Sequence, residues 1–189
     1  MSSELVEKAF GAVDRAHFMP PDVRQLADVD SAMPIGYGQT ISQPYTVELM
    51  LRWLDARPGQ KVLDVGSGSG WTTALLAHIV GPKGRVYAVE RIPELLEFGR
   101  DNCDRYGVKN AWFYPAGEEL GLPDEGAFDR ILVSASADVF PDELMEQLKI
   151  SGKLVIPVGN DILEITKTSK KGRDVRKHPG FIFVPLLPS

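Results

Sequence analysis

The chain has 189 residues, 43% of them hydrophobic and 25% charged, and carries a net charge of −5. That length suits one domain with a sizeable buried core, and the acidic balance argues against a nucleic-acid binder working through a general basic field. No run approaches the roughly 18 apolar residues of a membrane span.

The first ten residues carry Glu4, Glu7 and Lys8 and no apolar leader. The single Cys103 has no internal disulfide partner, so a cytoplasmic protein is expected.

Residues 4–15 place Leu5, Val6, Ala9, Phe10 and Val13 on one helical face, and Pro20 and Pro21 end any helix there. From 22 to 43 no period holds, and Pro34, Gly36 and Gly38 lie inside the stretch. It reads as an ordered but irregular segment. A loop of about 20 residues in a compact domain is uncommon unless it has a task. Pro44 suits a first helical turn, and the helix is expected to reach 56.

Strands then alternate with helices. Strands are expected over Lys61–Val65, Arg85–Glu90, 111–114, Phe128–Val133 and 153–157. Helices are expected over Trp71–Val80, Pro93–Tyr106 with Gly107 just past its end, and 141–148. This alternation predicts an α/β fold, a mainly parallel sheet flanked by helices.

In the tail, 162–168 and 181–186 read as strands of a closing antiparallel pair. The loop between them, with Lys167, Lys170, Lys171, Arg173, Arg176 and Lys177 against Asp174, reads as a solvated hairpin tip. The sharper alternative is a patch attracting acidic peptide. No internal repeat is present.

The strongest local signal is Val62-Leu63-Asp64-Val65-Gly66-Ser67-Gly68-Ser69-Gly70, which follows the first strand of the alternation and opens a helix. Glycines there let the backbone turn sharply and approach a ligand. Glu90 ends the next strand, where a carboxylate can accept both ribose hydroxyls of a nucleotide. A dinucleotide fingerprint is G-x-G-x-x-G, but its third glycine would fall on Trp71, and no basic residue lies between Gly66 and Ala77 to meet a pyrophosphate. S-adenosylmethionine (SAM) has no phosphate and needs neither feature. The pattern therefore points to a SAM-dependent methyltransferase.

The acceptor is narrowed by elimination. A carboxylate is ionised at pH 7 and needs no general base, unlike a phenol or sugar hydroxyl. His17, His78 and His178 are scattered and read as surface or packing residues. No metal-ligand cluster is apparent. No Asn/Asp-Pro-Pro-aromatic box follows Phe128–Val133, where Ser134-Ala135-Ser136-Ala137 stands instead. Cys103 lies mid-helix rather than at a strand end, so it reads as structural rather than nucleophilic. A substrate that brings its own anion is what remains.

Met33-Pro34-Ile35-Gly36-Tyr37-Gly38-Gln39-Thr40-Ile41-Ser42-Gln43-Pro44-Tyr45 resembles the signature of protein-L-isoaspartate (D-aspartate) O-methyltransferases. The likeness continues through 62–70, 87–95 and 147–159, and through Phe183-Val184-Pro185-Leu186. It implies a Rossmann-like SAM-dependent methyltransferase fold in a single domain, 1–189. Within it, 1–58 holds N-terminal helices and a lid segment, and 59–189 holds the core.

The activity implied is methylation of the α-carboxylate of L-isoaspartyl residues in damaged proteins, with S-adenosyl-L-homocysteine as product. The ester then closes to a succinimide, which makes the reaction a repair step. The expected partners are isoaspartyl proteins or peptides, with no nucleic acid and no membrane, and the expected state is a monomer.

By resemblance, Ser42 would hydrogen-bond the acceptor carboxylate, although as a favoured N-cap residue it could equally cap the helix from Pro44. The cofactor would be held by Gln39, Thr40, Ile41, Asp64, Gly66, Ser67, Gly68, Glu90, Arg91, Gly117 and Glu118. Glu90 would take the ribose, and Gly117-Glu118 would match a Gly-Asp pair at the adenine. The lid would shut out water and orient the substrate.

This sequence departs from the family at Tyr37, where His is common. It departs also at Glu118-Glu119 in place of Asp-Gly, and mildly at Ser134–Ala137. The alternatives are a SAM-dependent O-methyltransferase for another peptide carboxylate, and a non-catalytic SAM-binding protein.

Overall fold

The computed structural model describes residues 2–186. Helix α1 spans Ser2–Ala12. It stops short of 15 because Asp14, a good capping residue, starts a 3-10 turn over Arg15–Phe18 and accepts the Ala16 N–H at 2.9 Å. The segment expected to be irregular holds a second 3-10 turn, Arg24–Leu26, and then a small antiparallel hairpin of β1 (Met33–Gly36) and β2 (Gln39–Ile41). Its two-residue tip, Tyr37-Gly38, has φ of 55° and 71°. This double left-handed turn matches the twist of paired strands. Tyr at the first of these positions, in place of the usual Asn or Asp, hides the hairpin in the sequence.

Helix α2 (Pro44–Leu54) leads into β3 (Lys61–Val65), α3 (Trp71–Val80), β4 (Arg85–Glu90), α4 (Pro93–Tyr106), β5 (Ala111–Pro115) and β6 (Phe128–Val133). Helix α3 is apolar nearly all round and correspondingly buried. Helix α4 ends at Gly107, φ 83°, whose N–H returns to the Cys103 and Asp104 carbonyls.

The helix expected over 141–148 is one short turn, α5 (Glu143–Glu146). Phe128 N–H already takes the Gln147 carbonyl at 2.7 Å, and Leu148 pairs with Phe128. The chain has thus joined the sheet, and β7 runs Leu148–Val158.

Strand β8 (Asp161–Lys167) lies where a strand is expected, but its partner β9 is Arg173–Pro179, within the stretch read as a polar loop. As an edge strand, β9 is exposed along nearly its whole length, so its residues are charged rather than alternating. Residues 181–186 form no strand. They run as an extended strap tied to Ser136, whose N–H donates to the Val184 carbonyl and whose carbonyl accepts the Leu186 N–H.

The seven-stranded sheet has the order β5-β4-β3-β6-β7-β8-β9, parallel from β5 to β7 and antiparallel beyond. Its central strands are buried on both faces, as parallel sheets require. One core lies among α1–α4 and includes Phe18, Leu51, Leu75 and Leu95. The other lies on the opposite face around Phe128, Ile131, Leu144 and Leu154. The chain leaves β3 toward β4 and β5 and returns on the far side as β6. This places a crevice at the carboxyl ends of β3, β4 and β6, where ligands of such sheets bind.

Candidate active site

A cavity of about 350 Å³ occupies that crevice. Its floor is the turn after β3. Gly66 and Ser67 both donate to the Val89 carbonyl, at 2.9 and 3.1 Å, which ties the turn to β4. A Cβ on Gly70 would meet the Gly99 carbonyl oxygen of α4 at 2.6 Å, and one on Gly99 would meet the Gly68 oxygen at 2.6 Å. These glycines let helix and turn touch backbone to backbone. Helix α4 fastens the turn further, with Asn102 Nδ2 donating to Ser69 O at 3.0 Å and Cys103 Sγ to Gly70 O at 3.4 Å.

Glu90 stands at the end of β4, only 8% exposed, and lines the cavity. Its Oε2 accepts Gly68 N–H at 2.8 Å, and Oε1 accepts the N–H groups of Arg91 and Ile92 at 2.8 and 3.0 Å. A carboxylate has about four lone-pair sites. Oε2, with one bond, therefore keeps capacity for a ribose hydroxyl, while most of the rest is spent on shaping the turn.

The roof is the β1–β2 hairpin. Ile35, Gln39, Thr40, Ile41 and Ser42 line the cavity, and Ile35 Cδ1 comes within 3.3 Å of where a Cβ on Gly68 would stand. Ser42 does not cap α2: the N-cap is Gln43, and the Tyr45 N–H is taken by Asp30 Oδ1 at 2.9 Å.

The remaining expected residues divide. Gly66, Ser67, Gly68 and Arg91 line the cavity. Asp64 lies behind the turn, fully buried, and accepts the Thr73 hydroxyl at 2.7 Å. Burial pushes its carboxyl up to about 7, the Thr73 bond opposes this and nearby Glu90 adds to it.

Gly117 and Glu118 are exposed and stand outside the lining, which on that side is made by Ala116, Glu119, Leu120 and Gly121. Gln147 holds this wall, donating from Nε2 to Leu120 O at 2.7 Å and accepting Leu122 N–H at Oε1 at 2.8 Å. The lining thus flanks the Gly117-Glu118 pair on both sides without including it. The strap residues Val184, Pro185 and Leu186, together with Trp71 and Thr72, complete the site without having been singled out as ligands in the sequence. For the strap, the Phe183–Leu186 likeness was the available signal.

The basic hairpin tip lies at the other end of the sheet. Lys167 is buried beside the start of β7, with Nζ donating to Met145 O at 2.5 Å and Leu148 O at 2.7 Å. Lys170 and Lys171 follow it, away from the carboxyl ends that carry the cavity. The tip is not placed to draw a peptide into the site.

The donor set fits a nucleoside without phosphates. It offers a carboxylate, backbone groups of a glycine turn that lacks basic residues, and apolar walls from Val65, Val89, Ile92 and Leu120. Ser67 Oγ and Trp71 Nε1, both on lining residues, have no hydrogen-bond partner among the described residues.

Comparison with known proteins agrees. The family model described as Protein-L-isoaspartate(D-aspartate) O-methyltransferase matches residues 1–188. The chain is 44% identical to the protein-L-isoaspartate O-methyltransferase of Pyrococcus horikoshii, over 99% of this chain and 86% of that one. It is 46% identical to the enzyme of Methanopyrus kandleri, over 98% and 84%. A Plasmodium falciparum crystal structure described under the same enzyme name, in complex with S-adenosyl-L-homocysteine, superposes with a TM-score of 0.85 at 27% identity, covering 98% of this chain and 91% of that one. The fold is that of SAM-dependent methyltransferases, and the chain belongs to the protein-L-isoaspartate (D-aspartate) O-methyltransferase family.

Proposed function

We propose that this protein transfers a methyl group from SAM to the α-carboxylate of L-isoaspartyl residues in damaged proteins. The observation that carries this reading is the placement of Ser42, on a hairpin roof, over the same cavity that the glycine turn and Glu90 floor. When bound, SAM supplies an activated methyl on a sulfonium that leaves readily.

The chain's own work is placement. The 66–70 turn, Glu90, Arg91 and the 119–121 wall hold the cofactor, with Gln39, Thr40 and Ile41 above it. Asp64 supports the turn from behind. The acceptor carboxylate arrives ionised at neutral pH, so no side chain needs to remove a proton. Ser42 donates its hydroxyl to that carboxylate and orients it, and the roof excludes water. Alignment of this kind supplies much of the acceleration in a transfer between two bound groups.

The partners are isoaspartyl proteins and peptides, taken by a cytoplasmic monomer. The single free Cys103 supports a reducing setting, and the net charge of −5 supports a partner other than nucleic acid.

The deciding experiment supplies labelled SAM with an isoaspartyl peptide and with its ordinary aspartyl counterpart, and follows base-released methanol. Methylation of the first alone is expected. Equal methylation of both would leave a SAM enzyme with a different carboxylate substrate.

A further inference from the structure

Arg15 is a buried cation, 5% exposed, that does not line the cavity. Its two Nη groups are spent on backbone, while the buried Nε has no hydrogen-bond partner among the described residues. Nη1 donates to the carbonyls of Ala27 at 3.1 Å and Val29 at 3.2 Å. Nη2 reaches those of Ser31 at 2.8 Å, Ile41 at 3.5 Å and Ser42 at 3.1 Å. The same guanidinium lies 5.4 Å from the ring centroid of Trp71, which lines the site.

Two stretches on either side of β1 thus share one fork: the irregular chain at 27–31, and Ile41 at the end of β2 with Ser42 just past it. Asp30 closes the same junction. Its Oδ2 accepts Gln43 Nε2 at 3.0 Å and its Oδ1 accepts Tyr45 N–H at 2.9 Å. Ser42 is therefore held through its own carbonyl on one side and through Gln43 and Tyr45 on the other.

Burying a guanidinium is costly, and an apolar side chain of similar volume often stabilises a fold as well. What the planar fork adds is direction, because it fixes several carbonyls at once in a way a lysine ammonium does not. Methyl transfer is sensitive to that kind of fixation, since small displacements of the acceptor cost rate steeply.

We propose that Arg15 is a positioning residue for methyl transfer, fixing the acceptor side of the site through the backbone of Ile41 and Ser42, with Asp30 as its counterpart. This rests on the proposed reading that Ser42, just past the end of β2, faces the acceptor.

The test compares Arg15→Lys with wild type in three measurements: folding by circular dichroism, S-adenosyl-L-homocysteine affinity by calorimetry, and kcat on isoaspartyl peptide at saturating SAM. Arg15 shares only the Ile41 carbonyl and the Trp71 ring with the cofactor side, and the glycine turn and Glu90 are untouched, so affinity should fall far less than kcat, within about threefold. kcat should fall about 10- to 100-fold. In Arg15→Ala, millimolar guanidinium should restore kcat and methylammonium should not.

A folded Arg15→Lys protein with wild-type kcat overturns the proposal. So does a loss of product affinity as large as the loss of kcat, which would make Arg15 a general support of the cavity. If the Arg15 variants do not fold, Asp30→Ala decides by the same two measurements: a selective loss of kcat supports the proposal and a wild-type kcat overturns it. Ser42→Ala run alongside separates the two readings. Normal turnover there, with slow Arg15→Lys, moves the acceptor contact off the Ser42 hydroxyl and leaves the backbone role of Arg15 standing.

Discussion

The floor and the roof of the site are built by different physics. The floor sits on parallel strands buried on both faces and on α3 and α4, with glycines that let backbone meet backbone. Its accuracy comes from regular hydrogen bonding and close packing, which the whole sheet shares. The roof is a two-strand hairpin and a run of 3-10 turns. An isolated two-strand hairpin is marginal in water, and here it is joined to its surroundings by the buried Ile35 and Ile41 and by the Arg15 bond to the Ile41 carbonyl, while Asp30 ties the neighbouring chain to the start of α2. A small segment with few buried side chains can open without melting the rest of the core. Rigidity is thus spread over many contacts in the floor and rests on few in the roof.

The largest effect that would expose this contrast is Gly70→Ala. Its Cβ would press on the Gly99 carbonyl oxygen, and its φ of 83° disfavours any side chain. A loss of about 3 kcal/mol or more of global stability is expected, read by urea unfolding. A small loss would mean that α4 is free to back away.

Next comes Glu90→Ala, which removes the proposed ribose acceptor and leaves the N–H groups of Gly68, Arg91 and Ile92 without that partner. At about 1.5–3 kcal/mol per charge-assisted bond, SAM affinity should fall at least about tenfold by calorimetry, with a lowered Tm. Unchanged affinity would place the ribose elsewhere.

On the roof, Ser42→Ala should reduce kcat/KM for isoaspartyl peptide about 5- to 150-fold while barely altering SAM affinity, as expected for one hydrogen bond to a charged group. Parallel losses in both would erase the floor–roof distinction. The smallest effect belongs to Tyr37→Phe. Tyr37 is 60% exposed at the hairpin tip, so kcat/KM should change less than about twofold, with no ionisation near pH 6.5 in the rate profile. A large loss would give its hydroxyl a direct role.

Legibility in the sequence follows the same division. The strands at Lys61–Val65, Arg85–Glu90 and Phe128–Val133 and the helices Trp71–Val80 and Pro93–Tyr106 fall on their expected bounds, because buried apolar runs and glycine stops are local signals. The hairpin over 33–41 was hidden by a tyrosine in a left-handed turn. Strand β9 was hidden because an edge strand facing water carries charge, and α5 was overestimated because pairing of Leu148 with Phe128 is a long-range event.

That the glycine turn, Glu90 and Gln39–Ser42 line one cavity agrees with what spacing and resemblance single out. Arg15, Asp30 and Gln147 were not singled out, since each acts on carbonyls or amides many residues away that no pattern marks. The family correspondence points to 117–118, while Ala116 and 119–121 on either side of that pair line the cavity, because a correspondence fixes a position in the chain but not which side chains turn inward.

Cys103 gives the floor one more property. Its thiol is 2% exposed, and burial, with Asp64 and Asp104 nearby, pushes its pKa up to about 12. At neutral pH it is a protonated, buried thiol, shielded from oxidants and alkylating agents in the closed fold. Because the sulfur sits between α4 and the Gly70 carbonyl, it becomes reactive only when that helix lifts from the glycine turn. The single cysteine is thus a built-in clock for opening of the cofactor floor, one that a bound nucleoside would slow by its occupancy of the closed state.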